Sequence, residues 1–142
     1  MSTRSYICIK LSDEDKKKLD TEDEYLGVYC HFDGYIKDGV GETLVTYYNT
    51  PFKARRLVMK NRNISSLGDF LKDTRFYKPT KQCDEKGITF SSYHLADKDS
   101  FCMIQYIYIF TDKWYVFQRN GMGYWRQSDS VENLLNIKIN KP

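Results

Sequence analysis

The chain has no run of 18 apolar residues, so a membrane-spanning helix is not expected. Its first ten residues, MSTRSYICIK, have neither the apolar stretch nor the small-residue cleavage site of a signal peptide, which directs expectation away from secretion. Cysteine is sparse: Cys8, Cys30, Cys83 and Cys102 are widely spaced, with no CxxC pair. Such spacing argues against a disulfide scaffold and for free thiols in a cytosol. A zinc set drawn from Cys30, His31, Cys83 and His94 fits no structural or catalytic spacing, and the sequence calls for no metal and no cofactor. Charge of one sign is also missing, since 22 Lys+Arg against 19 Asp+Glu leave only +3, too little to argue for nucleic acid by itself.

Aromatic residues are plentiful: 12 Tyr, 8 Phe and 2 Trp in 142 residues can close a small core without disulfides or metal. Length and a 41% hydrophobic content suit one domain spanning residues 1–142. Charge is unevenly distributed. Residues 12–24, SDEDKKKLDTEDE, carry seven acids and three lysines, whereas residues 53–62, KARRLVMKNR, carry five bases and no acid. Runs of this kind ordinarily form solvated surfaces.

Residues 3–11 alternate, with Ser5, Ile7, Ile9 and Leu11 on one face and Arg4, Tyr6, Cys8 and Lys10 on the other, the pattern of a strand. The acidic stretch has no apolar period and reads as a loop leading to a second strand at 25–31, YLGVYCH, paired with the first. HFDGYIKDGVG, with three glycines and two aspartates, must turn before a helical run VGETLVTYY. Thr50 before Pro51 predicts a helix start, and Ala54, Leu57, Val58 and Asn61 share one face of 51–62. Residues 69–86 receive no firm assignment, and 87–94 read as a short strand. Residues 101–118 read as a hairpin turning at Thr111-Asp112-Lys113, apolar on both faces and therefore central to its sheet. A short strand at 124–126 and an Asp129-x-x-Glu132 capping box before a C-terminal helix complete the reading. The expected fold is α+β, a mostly antiparallel sheet with about three short helices.

Four blocks occur in order: MSTRS at 1–5, YCHFDGY at 29–35, GVGETL at 39–44 and ISSLG at 64–68. The sequence thereby resembles, over most of its length, a family of small phage and bacterial proteins. These run MSTR-x-x-I, then YCHWDGYPEGVG, a helix pair, GDISxLG and a late hairpin ending near a tryptophan. It departs from them at Phe32, at Ile36-Lys37-Asp38 and at Asn63. The resemblance implies a phage-type accessory protein in the host bacterial cytosol and supplies no mechanism.

The residues themselves supply candidates. On an extended segment His31 and Asp33 point to one side, so a carboxylate could orient the imidazole while Tyr35 extends the line. Gly39 and Gly41 would let backbone N–H groups meet an anion at a helix start, and Arg4, Arg55 and Arg56 add positive charge. This set reads as a ligand-binding site for a small anionic, nucleotide-like molecule, sequestered as a host defence signal. One alternative is an inhibitor that uses its charged surfaces on a host nuclease or defence protein, and self-association into a homo-oligomer is compatible with either. Another is a small hydrolase in which removal of Met1 exposes Ser2 as an N-terminal nucleophile beside His31. Lys53, Arg55, Arg56, Lys60 and Arg62 could contact phosphates or an acidic protein groove, with Tyr47 and Tyr48 either stacking on a base or packing beneath the helix. Among these readings, binding without catalysis is preferred.

Overall fold

Alternating apolar residues near the N-terminus produce the first strand of a computed structural model that describes residues 2–140. This strand, β1 (Ser5–Lys10), pairs antiparallel with β2 (Tyr25–Cys30), Ser5 opposite Cys30 and Lys10 opposite Tyr25. Between them lies a helix, α1 (Asp13–Lys18), in the stretch expected to be a loop. Its cause is local: Ser12 and Asp15 form a reciprocal capping box, and three acids in the first turn and three lysines in the last oppose the helix dipole. Tertiary structure adds the anchor, since Asp15 is buried and receives both guanidinium nitrogens of Arg55 at 2.7 Å.

Two helices follow, α2 (Val40–Tyr47) and α3 (Pro51–Val58). As the sequence predicts, Thr50 caps α3 by accepting from the Lys53 N–H, and Ala54, Leu57 and Val58 are fully buried; Asn61 falls beyond the helix in a left-handed conformation. β3 (Ile64–Ser66) follows α3, and the unassigned residues 69–86 contain a short 3-10 turn (Leu71–Asp73) and β4 (Arg75–Phe76). Then come β5 (Ile88–Phe90), α4 (Ser92–Ala96), β6 (Tyr106–Phe110), β7 (Trp114–Arg119), β8 (Trp125–Ser130) and α5 (Val131–Asn140).

All eight strands join one mixed sheet in the order β4-β3-β2-β1-β6-β7-β8, with β5 also on β2. The β1–β6 and β2–β3 pairings are parallel and the others antiparallel. Five α-helices lie among the described residues, more than the sequence suggested, because α1 and α4 are too short to show an apolar period and are set by their caps. The late hairpin is not the middle of the sheet: β1 is, and β6 lies beside it. Residues 101–104 turn instead of extending the hairpin.

The alternation of β1 builds two cores. Ile7, Ile9 and Leu11 pack with Leu44, Leu57, Val58, Trp114 and Val131 under α2, α3 and α5. Cys8, Ile107, Ile109, Phe90 and Trp125 pack on the opposite face with Tyr6, Tyr29 and Phe101. No helix among the described residues is long and apolar enough to cross a membrane.

Candidate functional site

The register of β1 on β2 decides which polar residues meet. Tyr6 lies opposite Tyr29, and continuing the pairing by one alternation sets Arg4 opposite His31 on the same face. Parallel β6 closes the other side: Arg4 exchanges hydrogen bonds with Gln105, its N–H donating to Oε1 at 2.7 Å and its carbonyl accepting from the Gln105 N–H at 2.9 Å. His31 is held at both ring nitrogens, Nε2 lying 3.1 Å from Ser2 Oγ and Nδ1 2.6 Å from the Tyr29 hydroxyl. Phe32 contacts the imidazole edge-to-face at 4.5 Å.

Beside this end of the sheet a cavity of about 760 Å3 opens among Arg4, Tyr6, Tyr29, Thr89, Phe90, His94, Ser100, Phe101 and Cys102. Among the described residues no carboxylate lines it, and Arg4 is its fixed positive charge. His31 is not in its wall and adjoins it through the Tyr29 hydroxyl. Burial, reinforced by Cys8 and Tyr29, pushes the Tyr6 phenol up to about 12. Burial also raises Tyr29, while the neighbouring Arg4 guanidinium pulls it down. Both phenols are therefore neutral hydrogen-bonding groups near pH 7.

The outer wall, residues 97–104, is a loop with Phe101 and Met103 at positive φ, 57° and 71°. Arg119 holds it. Its guanidinium donates to the carbonyls of Lys98, Ser100, Phe101 and Gly123 at 2.8–3.0 Å and lies 4.2 Å from the centre of the Trp125 ring. Trp125 Nε1 donates to Ser100 O as well. Phe101, so placed, makes edge-to-face contacts with Tyr6, Phe90 and Trp125.

The other sequence candidates are dispersed. Asp33 does not reach His31: at φ 59° it turns the chain outward, its carbonyl accepting from Val40 N–H, and its side chain is exposed. Tyr29, two residues before His31 on the same strand face, takes the orienting position instead; the alternation of YLGVYCH was the available signal. Tyr35 is exposed. Gly39 and Gly41 serve close packing. A Cβ at Gly39 would come within 2.5 Å of Asp33 O, and one at Gly41 within 2.7 Å of Ile36 O. The N–H groups of Val40 and Gly41 donate to the carbonyls of Asp33 and Tyr35, so the loop itself occupies the start of α2. Arg55 is committed to Asp15, and Arg56 lies at a separate groove beside α2.

Asn63 and Ile36 have clear local roles. Asn63 accepts from the Tyr29 N–H and donates to Glu85 Oε1, a donation that a carboxylate could not make. Ile36 is buried against the helix-side core. No group of three or more His, Cys, Asp or Glu side chains able to hold a metal occurs among the described residues. No family model, curated protein or solved structure matches this chain.

Proposed function

We propose that the protein binds a small anionic, nucleotide-like ligand in the cavity beside Arg4, the anion at Arg4 and the ring among Tyr6, Phe90 and Phe101. The supporting observation is a ligand-sized, aromatic-walled cavity whose lining, among the described residues, has one fixed cation and no acid. In this reading the protein is a phage-type accessory factor that removes a signalling nucleotide from the host cytosol. The test is purification from a bacterial lysate, denaturation and mass analysis of what is released, followed by calorimetry with the recovered nucleotide. Arg4→Ala should weaken binding at least tenfold while leaving the melting temperature within a few degrees. Release of no small molecule, with a stoichiometric host protein retained instead, would replace this reading with the inhibitor.

A second reading rests on the Ser2–His31–Tyr29 array, which orders a hydroxyl, an imidazole and an orienting group at 3.1 and 2.6 Å. Here His31 Nε2 accepts the Ser2 hydroxyl proton as Oγ attacks an ester carbonyl. The imidazolium returns that proton to the leaving alcohol, and water then cleaves the acyl-serine. With the base provided by His31, the reaction does not require a free terminal amine; Met1, whose removal the N-terminal-nucleophile version requires, lies outside the described residues. Hydrolysis of a carboxylic ester such as p-nitrophenyl acetate by wild type but not by Ser2→Ala would establish this reading over sequestration.

A further inference from the structure

The opposite side of the molecule carries a groove that the cavity beside Arg4 does not involve. It is about 470 Å3 in volume and runs between the end of α2, the exposed face of α3 and residues 69–72. Its floor is rigid: Tyr48 is buried, its hydroxyl donates to Gly68 O at 2.8 Å, and its carbonyl accepts from Trp114 Nε1 at 2.8 Å. Its aromatic wall is exposed. Tyr47 and Phe70 meet edge-to-face at 5.6 Å and remain 37% and 56% accessible. Lys53, Arg56 and Lys72 line the same groove, and none of them forms an ion pair among the described residues, where the one salt bridge is Arg55–Asp15.

We infer that this groove binds single-stranded nucleic acid, with a base on the Tyr47–Phe70 pair and phosphates on Lys53, Arg56 and Lys72. Exposed rings beside unpaired cations match a polymer that presents a π-face and an anion in every repeat unit. An acidic peptide would satisfy the cations but has no regular partner for the rings. Lys53 and Arg56, spaced at i and i+3, share the face of α3 that borders the groove. Asp69 lines the groove beside Phe70, Asp38 and Glu42 join it around Tyr47, and their charge limits the track to a few nucleotides.

The probe is a dye-labelled six-nucleotide oligothymidylate, followed by fluorescence anisotropy between 25 and 200 mM salt. Wild type should bind, with log K falling against log salt at a slope of about −2 for three phosphate contacts. Phe70→Ala should weaken binding about 5- to 100-fold, Phe70→Trp should restore it, and Arg56→Gln should reduce the slope by about 0.7. Tyr93→Ala, a highly exposed aromatic outside the groove, should change nothing. Arg4→Ala should also leave this binding intact, which separates the groove from the cavity reading. Absence of binding at 25 mM salt would overturn the inference, as would binding that ignores both Phe70→Ala and Arg56→Gln. Displacement by an oligoglutamate of equal length and at equal concentration would overturn it in favour of an acidic protein partner.

Discussion

Arg119→Met tests whether one side chain shapes the cavity wall. The substitution keeps an apolar stem over Trp125 but removes the donors to four carbonyls, at Lys98, Ser100, Phe101 and Gly123. A hydrogen bond from a charged donor contributes about 1.5–3 kcal/mol. The four share one half-exposed side chain, and the surface carbonyls recover water when it is lost, so the contributions are far from additive. Loss of the cation over the Trp125 ring adds about 0.5–1 kcal/mol. The expected destabilisation is about 2–4 kcal/mol, which lowers the melting temperature by roughly 6–14 °C for a chain of this size. Amide exchange should localise the effect: the Ile104 N–H, which donates to Phe101 O at 3.1 Å, should lose protection before the amides of β1. Ligand affinity should fall with it, because Phe101 forms part of the cavity wall. A melting temperature unchanged within 1 °C, together with wild-type protection at Ile104, would refute the assignment of Arg119 as the holder of this loop.

Ile107 is fully buried in the cavity-side core, so Ile107→Ala should cost about 2–5 kcal/mol in chemical denaturation; a cost under 1 kcal/mol would mean that the β6 face is not packed as described. The Arg55 guanidinium, aided by the Ser12 hydrogen bonds and opposed by burial, holds the Asp15 carboxyl well below the usual carboxylate range. A depressed folded value contributes stability that is full above the unfolded pKa of about 3.9 and is lost as pH falls below it. Because Arg55 is 40% exposed, Asp15→Asn should cost only about 1–2 kcal/mol at pH 7 and flatten the stability profile below pH 4, as followed by urea titrations; parallel profiles would exclude the pair as the cause. Cys8 and Cys30 are buried, with burial driving the Cys30 thiol up to about 12, whereas Cys83 and Cys102 are exposed. A thiol reagent read by intact mass should therefore add two labels to the native protein and four after denaturation, and rapid modification of all four would contradict the packing.

Local pattern determined much of this protein. The period-two alternation of β1 assigned Ile7, Ile9 and Leu11 to one core and Tyr6 and Cys8 to the other, because successive strand side chains must face opposite sides. Thr50-Pro51 fixed where α3 begins, because a side-chain oxygen and a residue lacking an N–H both suit the first helical turn. His31 was likewise legible as a polar side chain among aromatics. Its partner was not, because the choice between Asp33 and Tyr29 depended on where the chain leaves β2, and at Asp33 it turns into the left-handed region. Spacing could not show that Arg55 would be drawn to Asp15, forty residues earlier, leaving only Arg56 and its lysine neighbours at the groove. Nor could it show the parallel pairing of β1 with β6, Ser5 beside Tyr106, which brings Gln105 to Arg4 and the 97–104 loop over Tyr6. Alternation specifies which face a residue occupies. The neighbour across that face is chosen by burial of the whole sheet, when strands a hundred residues apart close on β1 and the cavity takes shape between them.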